Sequence, residues 1–391
     1  MAKLRPGAAF AALMGAVVLC GASAEALAAG YVETDLVVNQ QVNGVPTLTD
    51  SNGIVHVAKF FDPHLANPWG VGESMTSPFW ISDNGTGLST LYNTDGTPRP
   101  APVVSIPAPG APLGSDGAPT GLVFNIAGGA TGVFKITGVT STGAPITAAA
   151  AFLFSSEDGT ILGWNPGVNP VGFNPAKAGM YAIIAKTVPD AVYKGLAIAK
   201  DAGGTPYLYA PNFHAGTVDV FDGSFNLVTT FPFADPRLPK GYAPFDVAPI
   251  DGKLFVTYAV QDADAHDDVR GMGHGIVNVF DLHGNLLQRF AQHGQLNSPW
   301  GVTLAPATFG DLAGALLIGN FGNGHINAYN PVTGEFIDKL RDSHGQAIVI
   351  DGLWTVMFGN GGNGGNKNTL YFTAGPNDEA DGLFGSIAPN P

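Results

Sequence analysis

Cysteine is almost missing from this chain. Among 391 residues there is one, Cys20, which excludes a disulfide framework. Charge is scarce too: 12% of residues are Asp, Glu, Lys or Arg, too few to build many solvated helix faces. Runs of Ala, Glu, Lys, Leu and Arg at helical spacing are absent beyond the N-terminus, and no later apolar run is long enough to span a bilayer. There is no G-x-S-x-G elbow, so a serine hydrolase of that type has no nucleophile here. Positive charge is the scarcer sign, with 17 Lys and Arg against 31 Asp and Glu and a net charge of −14. Such a surface repels DNA, RNA and anionic headgroups. It suits cations, neutral ligands or basic partners, so the partner is expected to be a small molecule or a protein rather than a nucleic acid.

What is abundant is punctuation. Gly (54) and Pro (30) are far above ordinary usage, while the apolar fraction stays at 45%. A core is therefore present, and the Gly and Pro divide it into many short strands. The composition reads as all-β.

The N-terminus is a separate object. Lys3 and Arg5 precede an apolar run at 7–23, followed by Ala26-Leu27-Ala28-Ala29. A charged region, an apolar region and a small-residue cleavage site make 1–29 a secretory signal peptide. The rival is an uncleaved anchor, which the short Ala/Gly-rich run disfavours. A lipoprotein would need a small residue before Cys20, where Leu19 stands, and there is no twin-Arg pair. The expected product is secreted or periplasmic, spans 30–391 as a single domain, lacks cysteine and has no stable membrane insertion.

Asn67-Pro68-Trp69-Gly70-Val71 returns as Ser298-Pro299-Trp300-Gly301-Val302. A search for further copies of this unit finds a small or Gly residue opening a short apolar strand at Gly70, Gly121, Gly195, Asp246, Gly301 and Thr355. The spacing is about fifty residues, except for one longer step between Gly121 and Gly195 that implies an insertion in the second or third unit. Each start is followed by an aromatic-rich strand, an Asx/Gly turn and a third strand, as in FWISDNG then LSTLYN. Fourth strands are expected at 286–293 and 225–233. Four antiparallel strands per unit predict a six-bladed β-propeller. The last unit lacks its fourth strand, and 54–61 is expected to supply it, closing the ring and hiding its edges.

SDNGTGLSTLYN, GAPTGLVFN, EDGTILGWN, VYKGLAIA, NFHAGTVDVFD, GYAPFDV, NLLQRFAQHG, NSPWGV, VIDGLW and NTLYFTAGPNDE resemble a family of exported, bacterial-type β-propeller proteins of unassigned function. The resemblance runs from about Tyr31 to the C-terminus. It implies a six-bladed propeller similar to NHL-repeat proteins, and no particular activity. Where that family often carries His after the Asn-Asp-Glu motif, this chain has Asp381.

In a propeller, the turns between second and third strands and the loops entering the inner strands reach one face beside the pore. The former carry Asp83, Asn84, Glu157, Asp158, Asn212, His214, Asp262, Asn320, Asn377 and Asp378. Oxygen ligands converging from several units would suit Ca²⁺ or another divalent cation, with Glu157, Asp158, Asn212 and Asp378 as the ligand set. The alternative is that Asx and Gly simply build tight turns. The entering loops present Trp69, Thr120, Lys194, Phe245, Trp300 and Asp351. Calcium-dependent lactonases of the gluconolactonase type share this architecture and draw acidic and amide ligands from those loops. Only Asp351 would serve here, and Lys194 would repel the ion. Trp69 and Trp300 suggest a stacking floor for a ligand, or else packing between blades.

The acidic run at 261–268 fails the EF-hand pattern at its sixth and twelfth positions and is expected to be a solvated lid. His214, beside Asn212, is a candidate base or ligand. The segment 359–364 matches G-x-G-x-x-G without a following helix and is expected to be a flexible loop. Two functions stand: a binding propeller, and a divalent-metal-dependent hydrolase or lyase at the pore.

Overall fold

A computed structural model describes Met1 and residues 30–129 and 132–390 of the chain. The signal peptide expected at 1–29, with Cys20, lies outside the described residues apart from Met1. Among the described residues no helix is long and apolar enough to cross a membrane.

The chain is all-β, built mainly of four-stranded antiparallel sheets. Pro68–Gly72, Phe79–Asp83, Leu88–Tyr92 and Val104–Ser105 form the first. Pro119–Phe124, Phe152–Ser156, Thr160–Trp164 and Ile183–Thr187 form the second. Tyr242–Ile250, Lys253–Val260, Ile276–Phe280 and Leu286–Gln292 form a later one. Pro299–Leu304, Leu316–Asn320, Ile326–Tyr329 and Phe336–Lys339 follow. Burial falls along each sheet. The second strands Phe79–Asp83, Phe152–Ser156, Leu316–Asn320 and Leu370–Ala374 are buried at every position, whereas Phe336 and Ile337 in an outer strand stand in solvent. That is why the second strands read as unbroken apolar runs without alternation.

The long step after Gly121 is the hairpin Lys135–Val139/Pro145–Ala149, inserted between the inner and second strands of the second sheet. The sheet of Ala197–Lys200, Pro206–Asn212 and Thr217–Phe221 has three strands. The fourth strand expected at 225–233 is not formed. Phe225 and Phe233 hold positive φ, Pro232 removes a donor, and a single bridge joins Phe221 to Leu227. The aromatics of this stretch pack instead of pairing, Phe233 lying 5.2 Å from Phe280 and Phe231 5.1 Å from Tyr207.

The last sheet corrects a second expectation. Leu353–Phe358, Leu370–Ala374 and Leu383–Pro389 are completed by Tyr31–Val38, antiparallel to the C-terminal strand from Tyr31↔Pro389 to Val38↔Leu383. Of the segment 54–61, Phe60–Phe61 alone joins this sheet, as a parallel edge beside Val37 and Val38. Val55–Val57 instead pairs with Val45–Thr49 in a small separate sheet. Val55 and Val57 are exposed and His56 is buried between them. That one-sided pattern suits a surface strand, whereas Tyr31–Val38 can bury its second half on both faces.

Inner strands pack in chain order: Pro68–Gly72 on Pro119–Phe124, then Ala197–Lys200, Tyr242–Ile250, Pro299–Leu304 and Leu353–Phe358, which contacts Pro68–Gly72. The arrangement is propeller-type, with sheets face to face around an axis. The repeated glycines make the contacts possible. A Cβ on Gly70 would lie 2.5 Å from the Thr120 carbonyl oxygen, and one on Gly301 would lie 2.6 Å from the Val356 nitrogen. Hydroxyls stitch neighbouring strands: Thr120 Oγ1 donates to the Tyr193 carbonyl (2.8 Å) and Thr355 Oγ1 to that of Trp69 (2.8 Å). Gly70→Ala is therefore expected to destabilise the fold by about 1–3 kcal/mol through overpacking. Gly167→Ala, whose added carbon meets only Asn165 Oδ1 at 3.4 Å, should be nearly neutral. Urea unfolding of both variants checks this.

Candidate functional site

The residues just before the crowded inner-strand positions converge on the axis. Trp69, Phe245, Trp300 and Trp354 come from these loop-to-strand entries, and Phe213 and Phe321 from the turns after second strands. Trp69 stacks on Trp354 at 3.6 Å between centroids, and Phe321 stacks on the same indole at 3.9 Å. Trp300 meets both tryptophans edge-on, at 6.3 and 5.7 Å. Trp69, Trp300 and Trp354 are at most 4% exposed. They are a plug packed between sheets, and a flat floor open to a ligand is not formed.

A polar layer sits on the plug. Lys194 is 1% exposed, with its ammonium 5.0 Å above the Trp69 ring. The ammonium donates to Glu157 Oε1 and, at 3.3 Å, to Asp267 Oδ1. Glu157 Oε2 accepts from Asn84 Nδ2 (2.9 Å), Asn84 Oδ1 accepts from Asn67 Nδ2 (3.3 Å), and the same amide nitrogen donates to Glu379 Oε2 (2.7 Å). Asn67 Oδ1 accepts the Trp354 indole N–H at 3.0 Å, which ties the layer to the plug. Asn67 and the run Asn377, Asp378 and Glu379 hold positive φ of 45°, 59°, 52° and 68°. Asn and Asp tolerate that region, whereas Glu379 has no such preference and is held in it by its surroundings.

Burial acts to lower the Lys194 pKa, but the charge and hydrogen bond of Glu157 overcome it and leave the ammonium raised. Asp267 shows the reverse balance: burial pushes it up, and Lys194 and His266 bring it below the usual carboxylate range. Glu379 is raised to about 7, first by burial and then by the charge of Glu157, against the Asn67 hydrogen bond. The ammonium thus supplies the cation that the surrounding oxygens require.

Several predicted residues build turns instead of facing the mouth. The Asp158 carboxylate accepts the Ala118 N–H at 2.8 Å, and Asn212 is spent on the Val192 and Ala215 amides and on Asp219. Asp262 caps its own loop by accepting the His266 N–H, and Asn320 donates to the Gln295 carbonyl. Asp83 is fully buried, accepts from Thr90, and is raised well above the usual range by burial. His214 is exposed. Asp351 accepts from Ser51 and from the Asn377 N–H, tying the N-terminal segment to the last sheet. Asn377 also donates to Asp381, and Asp378 is an exposed partner of Arg270 at 3.3 Å.

Glu157, Asp158, Asn212 and Asp378 therefore do not gather into the ligand set expected for a cation, because three of them are held by other partners. The potential metal-ligating group around Glu157 consists of His266 and Asp267. Asn84, Glu157, Trp69, Lys194 and Trp300 do come together. Asn67 and Trp354 join them unforeseen, although Trp354 stands where the repeat places Trp69 and Trp300. The run at 261–268 is exposed at Asp264, yet Asp267 reaches inward to Lys194. The segment 359–364 is pinned, Asn360 Nδ2 donating to the Ser74 and Ser77 carbonyls.

Next to the plug a cavity of about 200 Å³ is lined by inner-strand residues, among them Gly70, Gly121, Thr355, Trp300 and Asp246. Burial raises Asp246 to about 7.

No family model matches the chain. It is 32% identical over 332 residues to the uncharacterized protein R648 of Acanthamoeba polyphaga mimivirus, spanning 83% of this chain and 76% of that protein. It is 31% identical over 341 residues to the uncharacterized protein L690 of the same virus, spanning 85% and 82%. Among solved structures it is similar to a streptogramin B lyase at 10% identity, spanning 92% of this chain and 98% of that one with a TM-score of 0.49.

The raised pKa of Asp246 has a signed consequence for stability. Below pH 4 the carboxyl is protonated whether the chain is folded or not. Between 4 and 7 the unfolded chain releases the proton and the folded chain keeps it, so stability is lost as pH rises, and the full cost stands above 7. Asp246→Asn is expected to stabilise the protein by about 1–3 kcal/mol at pH 8 and hardly at all at pH 4. Urea unfolding at the two pH values checks the difference.

Proposed function

The chain belongs to the family of the mimivirus proteins R648 and L690, and from that premise we propose that it is a six-bladed propeller whose acidic axial mouth binds a small molecule or protein side chain carrying positive charge. The observation that carries this reading is the Lys194 ammonium, buried over Trp69 and held by Glu157 and Asp267. It stands among the oxygens that a pore-mouth metal would need and answers Glu157, while the exposed carboxylates of Asp267 and Asp378 leave the rim acidic. Asp267 and Asp378 are exposed at the rim, at 68% and 91% of their side chains. An incoming cation would meet these two, already partnered by Lys194 and Arg270, and would exchange ion pairs at little cost.

Six blades closed into a ring are supported by the successive inner-strand contacts and by the return contact of Leu353–Phe358 on Pro68–Gly72. Tyr31–Val38 is the closing strand in this reading. Residues 30–391 are then one domain, exported by the signal at 1–29 and released to the periplasm or the outside. The charge of −14 argues against a nucleic-acid partner.

A second reading is a divalent-metal-dependent hydrolase or lyase, lactonase-like, favoured by Glu157, His266 and Asp267, each of which places a ligand atom within 4.8 Å of the others. Thermal melts with spermidine as a cationic probe, and with Ca²⁺ and Mn²⁺, separate the two. Binding predicts a spermidine-dependent rise in Tm that Asp267→Asn with Asp378→Asn removes. A rise with Ca²⁺ or Mn²⁺ that Glu157→Gln removes, with no response to spermidine, would favour the metal enzyme.

A further inference from the structure

A second group of titratable side chains lies far from the mouth in sequence, where the N-terminal segment folds against the last sheet. Glu33 and Asp35 project from Tyr31–Val38, and His56 from Val55–Val57. Each places a potential ligand atom within 4.8 Å of the others. His56 Nδ1 lies 3.2 Å from both Asp35 carboxylate oxygens. Its other ring nitrogen, Nε2, has no hydrogen-bond partner although His56 is only 3% exposed, and it points toward Asp50 Oδ2 at 3.7 Å. Glu33 Oε1 is likewise buried without a partner. Glu33, Asp35 and His56 line a pocket of about 390 Å³ that opens a route to them from solvent.

Unpartnered buried polar atoms are costly, and the Glu33 oxygen left over beside Asp35 and His56 calls for a cation. Lys194 fills that place at the mouth. Here the candidates are a protonated His56 or an ion. Burial works to lower the His56 pKa, but the hydrogen bond and charge of Asp35 overcome it and leave it raised; Glu33 is raised to about 7 by burial and by Asp35. Imidazole with carboxylates is a donor set for Zn²⁺ or Mn²⁺, not for Ca²⁺, which takes oxygen ligands alone. Ligand atoms about 2.0–2.2 Å from a shared ion lie roughly 3–4.4 Å apart, compatible with the spacing seen here. Asp50, beside Nε2, would then orient the ring as the carboxylate behind a metal-bound histidine does.

We propose that Glu33, Asp35 and His56 bind one divalent transition-metal ion of the Zn²⁺ class, with Asp50 positioning His56. The ion fastens the small N-terminal sheet to the strand that completes the last sheet. This clasp is structural and does not depend on what the mouth binds.

Calorimetric titration of ZnCl₂ into the metal-free mature chain tests it, with thermal melts alongside. One ion per chain is expected, bound at micromolar Kd or tighter, with a rise in Tm of several degrees. His56→Gln and Glu33→Gln should each weaken binding at least tenfold and remove the Tm rise, while His266→Ala, at the mouth, leaves both unchanged. Glu33→Gln sits at a partly exposed position and decides the matter if His56→Gln fails to fold. No zinc binding by the wild type would overturn the clasp and leave His56 as the protonated partner of Asp35. Binding lost in His266→Ala and kept in the other two would overturn it as well, moving the metal to the mouth.

Discussion

Inner strands crowd at the axis, and at four of the six equivalent positions no side chain can stand between them. That constraint places glycine at 70, 121, 195 and 301, and the rest of the axial structure follows from it. Because the backbones come so close, the residue just before each crowded position is thrown onto the axis. Large aromatics at 69, 245, 300 and 354 then fill what would otherwise be a bore. The two positions that lack glycine are also informative. Thr355 uses its hydroxyl to bind the Trp69 carbonyl, and Asp246 lines the axial cavity as a buried carboxyl.

A plug of this kind dictates the electrostatics above it. Apolar rings remove water from one side of the polar layer, so any charge there must be answered within the layer. Lys194 enters from the equivalent position of the third sheet, where four of the other five inner strands carry an aromatic. Its ammonium lies on the Trp69 ring and answers Glu157. The acidic turns of the other sheets then divide into two kinds. Asp158, Asn212, Asp262 and Asn320 satisfy backbone groups, and Glu157, Asp267 and Glu379 face the ammonium. The same demand recurs around His56, where among the described residues no lysine pairs with Glu33, Asp35 or Asp50.

Much of the fold could be read from local pattern. The Trp-Gly-Val copies located the inner strands, and the apolar runs after them proved to be second strands because burial on both faces leaves a local mark. The hairpin at 135–149 accounts for the one long step. What escaped depends on partners distant in sequence. The segment 54–61 reads as the closing strand, but Val55 and Val57 stand in solvent and Tyr31–Val38 pairs with the C-terminal strand instead. The stretch 225–233 is apolar enough for a strand, but Phe225 and Phe233 take positive φ to reach core sites. In the candidate site, Asn84, Glu157 and Lys194 were legible as polar residues at pore-facing positions. In the sixth copy the entering position is expected at Asp351, whereas Trp354, directly before Thr355, is the residue that reaches the axis. Asn67 carries no local mark of its role, because its partners Trp354 and Glu379 lie 287 and 312 positions away.

A charged lysine, Lys194, is the resident cation of the mouth. Proton–nitrogen correlation spectra of the lysine ammonium groups at pH 8 observe it directly, with Lys194→Met for assignment. The account predicts one slowly exchanging NH₃⁺ resonance, moved upfield by the Trp69 ring and absent from the variant. A spectrum in which Lys194 exchanges as fast as surface lysines, or titrates near neutrality, would contradict it.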